Sequence, residues 1–405
     1  MVEIFELINR ERKRQNEGLE LIASENYVSK NVLKAQGSIL TNKYAEGYPG
    51  KRYYGGCEII DEIENLAIRE CCELFNVKFA NVQPHSGSQA NAEAYRALQK
   101  YLKIEKRKMK ILSCQLSDGG HLTHGSSVSF SSNLYEFCFY KLDDTGHINM
   151  TYIEEAIVNN HPDVLLIGFS SYPYSIDFEE ISKICKKHNI LLMVDMAHIA
   201  GIVAAGKCQN PCKYADIVTS TTHKTLRGPR GGIIVTNNEE LIKLINSAVF
   251  PYYQGGPLEH IIAAKAICFN EAKRAEFKDY IEEVLNNTEI CKTAFDWLNC
   301  SVSGTENHLF LLNTKKSFGL TGLEAQNKLE EIGITTNKDM LPNDDESPKT
   351  TSGLRIGLAA LTSRGINAKQ VQFLAVIICN YLRGQISKEK AIVGVTSITS
   401  SLKEI

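Results

Sequence analysis

Lys224 stands at a position where a lysine side chain is costly. The stretch TSTTHKTLRGPRGG, residues 219–232, places it directly after a hydroxyl-rich segment that ends an apolar strand pattern. An ammonium group buried at a strand end loses its hydration, so burial favours the neutral amine. The positive charge of Arg230, a short distance along the chain, acts in the same direction. This combination is typical of a lysine that reacts with a carbonyl group.

Two further features follow other predicted strands. Ser86, Gly87 and Ser88 come after FANVQ and open a helix, where backbone N–H groups and the helix dipole form an anion cup suited to phosphate. Asp195 ends the strand ILLMVD and is followed by His198, and a buried carboxylate needs a cation or hydrogen-bond donors. Taken alone, each feature is equally compatible with an ordinary helix N-cap.

Apolar runs alternate with helical patterns over much of the chain, from about residue 58 to residue 250. We predict strands at 79–83, 110–116, 136–142, 163–169, 190–195, 216–221 and 231–237. We predict helices between them at 58–75, 88–102, 151–160 and 178–189. Regular alternation of this kind indicates an α/β fold with a mostly parallel central sheet and helices on both faces.

The predicted strand ends together indicate a cofactor. In α/β folds, ligands bind at the carboxyl ends of the strands, so we expect the anion cup, Asp195 and Lys224 to face one another. A pyridoxal phosphate site needs these three features: a lysine that forms an imine with the aldehyde, a carboxylate that keeps the pyridine nitrogen protonated, and a cup for the phosphate. Each feature alone is weak evidence for such a site, but the occurrence of all three at successive strand ends is strong evidence for it.

The pattern changes after PYYQGGP. A long helical stretch at 258–298 leads into a smaller mixed region with a strand at 308–313 and a helix at 322–333. We therefore place a domain boundary inside the long helix. The predicted domains are an N-terminal arm at 1–25, a large cofactor-binding domain at 26–275 and a small C-terminal α/β domain at 276–405.

Composition argues against several classes of protein. With 43% hydrophobic residues, the 405-residue chain can bury a sizeable core, and a net charge of −2 argues against a nucleic-acid partner. The twelve cysteines are scattered without metal-site spacing, which indicates a reduced cytoplasmic protein with no metal. No apolar run approaches the roughly 18 residues that span a bilayer, so we expect no membrane association.

Seven segments spread over essentially the whole chain carry a family resemblance. They are residues 20–57 and the later motifs NVQPHSGSQAN, GGHLTHG, VDMAHIAG, TTHKTLRGPRGG, FPYYQGGP and TSGLRIG. In order and spacing they resemble the serine hydroxymethyltransferase family, most closely its bacterial type. The resemblance implies fold type I of the pyridoxal phosphate enzymes, which is similar to aspartate aminotransferase. It implies interconversion of serine and glycine, with transfer of the one-carbon unit to or from tetrahydrofolate as 5,10-methylenetetrahydrofolate. It also implies a homodimer with shared active sites and leaves a tetramer open.

The resemblance also assigns roles to individual residues. The catalytic residues would be Lys224, which forms the Schiff base with pyridoxal 5'-phosphate, together with Glu46, Tyr54, His223 and Thr221. The cofactor would be bound by Ser24, Tyr44, Ser86, Gly87, Ser88, His121, Ser170, Asp195, His198, Lys224, Arg230, Gly255 and Gly256. The amino-acid substrate would be bound by Ser24, Glu46, Tyr54, His198 and Arg355. Tetrahydrofolate would be bound by Leu116, Gly120, His121, Leu122, Asp339, Ser347, Pro348 and Lys349.

Three of these implied roles carry a particular geometry. Arg355 would clamp the substrate carboxylate, because a guanidinium group offers a bidentate fork of donors. Glu46 would be the acid–base group near the substrate hydroxyl. Tyr44, Glu46 and Tyr54 would reach into the neighbouring subunit's site, and Gly256 would join the phosphate site from the other subunit.

The chain departs from the family pattern at a few positions. Asp339 stands where the family has asparagine, and Lys349 stands where it has phenylalanine. Tyr252 and Tyr253 precede QGGP, where a small first residue is typical, and the N-terminal arm is short. These departures concern the folate pocket and the arm rather than the cofactor site.

Two other functions remain compatible with the residues. One is a pyridoxal phosphate aldolase that cleaves 3-hydroxy amino acids without folate, and GGHLTHG with the SPKTTSGLR loop argues for folate use instead. The other is a noncatalytic relative that binds phosphate or RNA. The presence of Lys224, Asp195, Glu46 and Arg355 argues against it.

Overall fold

The structure is a computed structural model that describes residues 2–405. Its α-helices, in chain order, are α1 (Val2–Glu17), α2 (Lys30–Gln36), α3 (Glu58–Phe75), α4 (Gly87–Tyr101), α5 (Phe130–Leu134), α6 (Met150–Asn160), α7 (Phe178–Lys187), α8 (Ala200–Ala204), α9 (Glu239–Ser247), α10 (Glu259–Ala272), α11 (Ala275–Trp297), α12 (Thr314–Phe318), α13 (Gly322–Glu330), α14 (Ala359–Ser363), α15 (Ala368–Leu382) and α16 (Lys388–Thr399).

The strands within the same range are mostly short. They are β1 (Leu19–Glu20), β2 (Gly47–Tyr48), β3 (Lys51–Arg52), β4 (Phe79–Asn81), β5 (Lys110–Cys114), β6 (Glu136–Tyr140), β7 (Val164–Ile167), β8 (Leu191–Asp195), β9 (Ile217–Thr221), β10 (Gly232–Thr236), β11 (Ser301–Val302), β12 (Leu309–Asn313), β13 (Ile334–Thr335), β14 (Asn337–Asp339) and β15 (Gly353–Gly357).

The chain divides into two units. The larger unit comprises Val28–Ser170 and Ile176–Lys278, and the smaller comprises Met1–Tyr27, Ser171–Ser175 and Asp279–Ile405. These units are groups of residues that contact one another. The division into an arm, a cofactor-binding domain and a C-terminal domain, inferred above from the sequence, stays a prediction.

The larger unit is built on a seven-stranded sheet with the order β4-β10-β9-β8-β7-β5-β6. The strands from β9 to β6 in this order run parallel to one another, and β10 pairs antiparallel with both β9 and β4. Every residue of β7, β9 and β10 is buried, as expected for strands of a sheet that is covered on both faces. The predicted mostly parallel α/β sheet is therefore confirmed.

One predicted helix is divided in the structure. The helical pattern at 258–298 corresponds to α10 and α11, which are interrupted at Lys273 and Arg274. Neither residue is a helix breaker, so the residue types gave no signal for this interruption. Among the described residues, no helix is long and apolar enough to cross a membrane.

The smaller unit contains a four-stranded antiparallel sheet with the order β11-β12-β15-β14. Its apolar core includes Phe310 on β12, Ile356 on β15 and Leu374 on α15. On the central strand β15, Arg355 lies opposite Leu311 of β12 and Asn337 of β14. The sheet therefore fixes the backbone on both sides of this arginine.

Candidate active site

Lys224 lies in the connection between β9 and β10, which backbone hydrogen bonds hold closed. Thr222 N donates to Gly231 O (3.1 Å), and Gly228 N donates back to Thr222 O (2.7 Å). Arg227 N donates to Lys224 O (3.0 Å), and Arg227 adopts the left-handed conformation with φ of 60°. The Lys224 side chain is only 9% exposed. The loop therefore holds a buried lysine on a fixed backbone.

Thr225 joins this loop to the segment that follows Asp195. Its hydroxyl group donates to His198 O (2.8 Å) and accepts from Gly201 N (3.0 Å). A Cβ atom at Gly201 would lie 2.3 Å from Thr225 O, so only glycine permits this approach. The lysine loop and the buried His198 thus belong to one bonded framework.

Asp195 ends β8, and its carboxylate is surrounded by donors. Its Oδ2 accepts from Asn91 Nδ2 (2.9 Å) and lies 3.2 Å from His124 Nε2, while its Oδ1 accepts from Ala197 N (3.0 Å). These partners come from α4, from the segment after β5 and from the turn after β8. A buried carboxylate with this many donors can remain ionised.

The charge state of Asp195 follows from these partners. Burial alone would raise its pKa, but the hydrogen bond from His124 and the charges of His124, His121 and Lys224 hold the pKa of Asp195 well below its usual range. Since an ionised carboxylate only accepts hydrogen bonds, His124 Nε2 is the donor. Asp195 is therefore a fixed negative charge at the strand end.

Asn91 links three segments at this edge of the sheet. Its Nδ2 donates to both Asp195 Oδ2 and Thr123 Oγ1 (each 2.9 Å), and its Oδ1 accepts from the hydroxyl group of Thr219 (2.6 Å). Sequence reasoning missed Asn91, Thr123 and His124, and it included Thr219 only in the row of hydroxyl residues before Lys224. The available signals were an asparagine inside a helix, where it is unfavourable, and a second histidine in GGHLTHG.

His121, which was predicted to bind both cofactor and folate, is fixed by Thr123. Its Nδ1 accepts from Thr123 N (3.2 Å) and lies 2.7 Å from Thr123 Oγ1. The rings of His121 and His124 meet edge to face, with centroids 5.5 Å apart and an angle of 61° between their planes. Two histidine rings are thus oriented next to the Asp195 carboxylate.

The predicted folate residues of the same segment lie near His121 in the chain. A Cβ atom at Gly120 would lie 2.5 Å from Cys114 O, so this turn requires glycine. Leu116 and Leu122 keep large exposed surfaces. Exposed apolar side chains beside a fixed histidine are compatible with a flat ligand, and their role stays a prediction.

The anion cup is the start of α4. The Ser86 hydroxyl group caps the helix by accepting from Gln89 N (3.2 Å), and Ser88 is exposed. A Cβ atom at Gly87 would lie 2.5 Å from Thr221 Cγ2, so the helix starts directly against the end of β9. Within residues 2–405 the buried Thr221 Oγ1 has no hydrogen-bond partner, so the hydroxyl is left available for a ligand.

His223 and Arg230 flank Lys224 in the chain. Burial, followed by the charges of Arg230 and Lys224, lowers the pKa of His223 to about 3, so its ring is neutral at physiological pH. Arg230 is exposed. Ser170, just beyond β7, is held by a bond from its N–H group to Gly119 O (2.7 Å).

A second buried lysine, which sequence reasoning missed, braces the cup. The Lys265 ammonium group donates to the carbonyl oxygens of Val82 (2.6 Å), Pro84 (3.0 Å) and Gly232 (2.8 Å). These oxygens lie on the segment before the cup and at the first residue of β10. Burial lowers the pKa of Lys265 to about 7. All three of its N–H donors bind backbone oxygens, so Lys265 has a structural role.

A tyrosine–glutamate cluster, comprising Tyr44, Glu46, Tyr54, Gly255 and Gly256, forms another part of the larger unit. The Tyr44 hydroxyl group donates to Glu46 Oε1 (3.3 Å), and the rings of Tyr44 and Tyr54 have centroids 5.1 Å apart. Cβ atoms at Gly255 and Gly256 would lie 3.1 Å from Glu46 Oε1 and 3.2 Å from the Tyr44 ring. The charge of Glu46 raises the pKa of Tyr54.

Arg52 fixes the backbone on either side of Glu46. Its Nη1 donates to Ala45 O (2.8 Å) and Gly47 O (3.1 Å), and its Nη2 forms a buried ion pair with Glu64 (2.7 Å). The guanidinium group is almost fully buried. Sequence reasoning did not assign Arg52 a role, although it lies inside the 20–57 stretch that carries the family resemblance.

In the smaller unit, Arg355 faces two side chains from β14. Its Nη2 donates to Asn337 Oδ1 (3.2 Å), and its Nε lies 3.9 Å from Asp339 Oδ2. The Ser171 hydroxyl group donates a short hydrogen bond to Asp339 Oδ2. Burial raises the pKa of Asp339, although the charge of Arg355 opposes that effect. Asp339, one of the residues that depart from the family pattern, therefore lies beside Arg355.

Ser24 lies in the segment packed against the end of β15. Gly357 N donates to Leu21 O (2.8 Å), and a Cβ atom at Gly357 would lie 2.4 Å from Ala23 Cα. This close approach holds the half-buried Ser24 near the strand that carries Arg355.

The remaining predicted folate residues lie in the loop before β15. Ser347 O accepts from the N–H groups of Thr350 (3.0 Å) and Thr351 (2.9 Å), which forms a tight turn. Pro348 and Lys349 are exposed on that turn. Lys349 therefore keeps its ammonium group in water. Residues 2–405 contain no cluster of three histidine, cysteine or acidic side chains that could hold a metal ion.

Comparison with known proteins gives a consistent picture. Residues 1–378 match the family described as serine hydroxymethyltransferase. The chain is 49% identical over 387 residues to serine hydroxymethyltransferase of Mycoplasma mobile, covering 95% of this chain and 91% of that protein. It is 52% identical over 383 residues to serine hydroxymethyltransferase 1 of Pseudomonas syringae pv. tomato and 51% identical over 384 residues to that of Pseudomonas aeruginosa. Each match covers 94% of this chain and 90% of the relative.

Proposed function

The chain belongs to the serine hydroxymethyltransferase family, whose members depend on pyridoxal phosphate, and we propose that Lys224 is the residue that binds this cofactor covalently. The protein interconverts serine and glycine and exchanges the one-carbon unit with tetrahydrofolate. The observation that carries the Lys224 assignment is its burial in one bonded framework with the segment after the ionised Asp195.

The residues at this edge of the sheet fit pyridoxal phosphate. Asp195 supplies the negative charge that a protonated ring nitrogen requires, and the anion cup supplies backbone N–H groups at a helix start. The buried Thr221 hydroxyl group has no partner in the described part of the chain. A buried polar atom of this kind is costly unless a ligand satisfies it.

When bound, the cofactor supplies an electron sink for the bonds at the substrate Cα. Asp195 holds the proton at the ring nitrogen, because its donors keep it ionised. Lys224 would hold the cofactor through its side-chain amine. The neutral His223 adds no further positive charge beside Lys224.

We assign the substrate carboxylate to Arg355 and part of the folate contact to the residues around it. Arg355 lies on a central strand, which fixes the direction of its guanidinium group. Burial lowers the pKa of Arg355, but the ordinary pKa of arginine is so high that the group stays charged. Asp339 competes for this charge within 3.9 Å of Arg355 Nε. The proposed folate contacts of Leu116, Gly120, His121, Leu122, Asp339, Ser347, Pro348 and Lys349 follow the family motif.

We further propose a homodimer in which the tyrosine–glutamate cluster serves the neighbouring subunit's site. Tyr44 and Tyr54 are about half exposed in the single chain. The Tyr44 hydroxyl group donates to Glu46, and the charge of Glu46 raises the pKa of Tyr54. Glu46 would act as the acid–base group at the substrate hydroxyl, and Arg52 fixes its backbone. Mixing Glu46→Gln subunits with Lys224→Ala subunits should restore part of the activity. Verified heterodimers without activity would contradict shared sites.

We propose a cytoplasmic location from the state of the cysteines. All twelve are free thiols in the structure, which fits a reducing compartment.

Borohydride reduction tests the cofactor assignment directly. The holoenzyme is reduced and digested, and the peptide carrying the reduced cofactor is identified by mass spectrometry. We expect the label on Lys224 and its loss in Lys224→Arg. Lys265→Arg is the matched control, because it also alters a buried lysine of the same unit and should keep the label on Lys224. A label on Lys265 or on another lysine would overturn the assignment.

A further inference from the structure

Cys300 and Cys379 bring two thiol groups together in the smaller unit. Their Sγ atoms are 3.4 Å apart, although the residues are far separated in the chain. Cys300 directly precedes β11 and is 8% exposed, and Cys379 lies in α15 and is fully buried. In the described part of the chain, no other two cysteine sulfurs lie within hydrogen-bonding distance.

Arg383 distinguishes the two sulfur atoms. Its Nη2 lies 3.5 Å from Cys300 Sγ and donates to Leu298 O (2.6 Å), which fixes the guanidinium group beside that sulfur. The hydrogen bond from Cys379 and the charge of Arg383 lower the pKa of Cys300, although burial opposes them. The hydrogen bond to Cys300 and burial raise the pKa of Cys379. Cys300 is therefore the more readily ionised of the two thiols.

Cys291 shows what burial does in the same core without these partners. It is fully buried, and burial raises its pKa to about 12. A thiol of this kind stays protonated and unreactive, because the thiolate is the nucleophile. The contrast assigns the unusual environment of Cys300 to Cys379 and Arg383 rather than to the core as a whole.

We propose that Cys300 and Cys379 are a redox-active pair that takes up hydrogen peroxide and closes to an intramolecular disulfide. The Cys300 thiolate attacks one oxygen of the peroxide, the O–O bond breaks, and a sulfenic acid forms as hydroxide leaves and takes up a proton to become water. The Cys379 sulfur then attacks the Cys300 sulfur, and its proton leaves with the sulfenic hydroxyl group as a second water. Two thiols and one peroxide thus give one disulfide and two waters.

The geometry allows closure with a small movement. The sulfur atoms need to approach from 3.4 Å to the bond length of about 2.05 Å. The disulfide bond would join the start of β11 to α15. β11 is an edge strand of the four-stranded sheet, and Arg355 lies on another strand of that sheet, β15. No residue assigned to the serine, cofactor or folate site takes part, so the pair operates apart from the catalytic chemistry. Transient disulfides of this kind occur in reducing compartments as redox-sensing sites.

Mass spectrometry of the holoenzyme tests the proposal. Protein treated with a small excess of hydrogen peroxide is alkylated and digested without reductant. We expect a cross-linked peptide that joins Cys300 to Cys379 and disappears after reduction with dithiothreitol. The Cys291→Ala variant is the matched control and should form the same cross-link. Absence of the cross-linked peptide, or earlier oxidation of other cysteines, would overturn the proposal.

Two variants test the roles within the pair. Cys379→Ala should accumulate a sulfenic acid on Cys300 that dimedone traps, because the resolving thiol is missing. Arg383→Gln should slow closure by about tenfold, because the thiolate loses its neighbouring charge. Dimedone labelling absent from Cys300 in the first variant would contradict the attacking role of Cys300. An unchanged rate in the second variant would contradict the role of Arg383. A thermal melt of each variant shows whether it has folded.

Discussion

Asp195 and Glu93 are two buried carboxyl groups of the larger unit with opposite surroundings. Asp195 accepts hydrogen bonds from Asn91, His124 and Ala197, and its pKa lies well below the usual range despite its burial. Glu93 is fully buried, and neither of its carboxyl oxygens has a hydrogen-bond partner within residues 2–405. Burial raises the pKa of Glu93 to about 9, so this side chain is protonated at physiological pH.

The difference shows that burial by itself favours the protonated form of a carboxyl group. A buried carboxylate stays ionised only where hydrogen-bond donors or positive charges stabilise it. A single helix contributes to both outcomes. Asn91 and Glu93 are two positions apart on α4, so they do not share a face of the helix. One face supplies a donor to Asp195, and the other places Glu93 in the core. Asp195 is therefore the ionised carboxyl group of the two, and Glu93 is the protonated one.

Removing the charge of Asp195 should have the largest effect. Asp195→Asn keeps the size of the side chain but removes the negative charge that a protonated ring nitrogen requires. Breaking a buried ion pair costs about 3 to 5 kcal/mol, so cofactor affinity should fall by about two to four decades. Absorbance titration of the apoprotein with pyridoxal phosphate measures this affinity. An affinity within about threefold of the unmodified protein would show that Asp195 does not face the ring nitrogen.

Glu93→Gln should be a favourable change, because it should increase the stability of the folded protein. The folded pKa of Glu93 is about 9, above the unfolded value of 4.5, so the folded state must keep a proton that the unfolded state releases. The stability that the protonated group contributes is complete below pH 4.5 and is lost as the pH rises towards about 9. Glutamine is neutral at every pH, so the variant should be more stable by about 2 to 3 kcal/mol at pH 7.

Urea unfolding at several pH values checks the Glu93 prediction. The difference in the free energy of unfolding should be small at low pH and grow steadily towards alkaline pH. Parallel pH profiles for the two proteins would mean that Glu93 is ionised in the fold and that the comparison with Asp195 fails.

His124→Ala should weaken the Asp195 site without removing its charge. A hydrogen bond to a charged group contributes about 1.5 to 3 kcal/mol, so the loss of this donor should raise the pKa of Asp195. Cofactor binding should then weaken as the pH falls, starting at a higher pH than in the unmodified protein. The dissociation constant of the cofactor as a function of pH reports this shift. If cofactor binding weakens at the same acidic pH in both proteins, the hydrogen bond from His124 does not stabilise the ionised form of Asp195.

Much of the fold and of this edge of the sheet was predictable from the sequence. Several strands of the large sheet contain apolar runs that the sequence shows, Asp195 ends one of these strands, and the anion cup comes a few residues after another, so the apolar pattern and the residues at the strand ends carried enough information. The family motifs then named the remaining candidates. The roles of those residues stay predictions, because the fold places side chains but does not report their chemistry.

The contacts that set the charge of Asp195 were not predictable in the same way. Asn91 and Asp195 are separated by 104 positions, and their contact exists only after α4 packs against the sheet. The same holds for Lys265, which reaches backbone oxygens on β10 and before α4. A sequence pattern reports which faces are apolar, but it does not report which polar atoms meet inside the packed unit.

Thr221→Val should have the smallest effect. The Thr221 hydroxyl group has no partner in the described part of the protein, so its removal should leave the stability of the apoprotein unchanged or slightly higher. Cofactor affinity should fall by about three- to tenfold, the usual worth of one neutral hydrogen bond. Thr225→Val is the matched control: its hydroxyl group has two protein partners, so the apoprotein should lose stability. Unchanged affinity in Thr221→Val would place this hydroxyl group outside the cofactor site.

The protonation state of the cofactor's ring nitrogen, observed by NMR with an isotope-labelled ring nitrogen, tests the role of Asp195 most directly. In the unmodified protein and in Glu93→Gln, the nitrogen should be protonated throughout the neutral pH range. In Asp195→Asn it should lose that proton, because no negative charge remains to hold it. A ring nitrogen that stays protonated in Asp195→Asn would contradict the assignment of Asp195 as its partner.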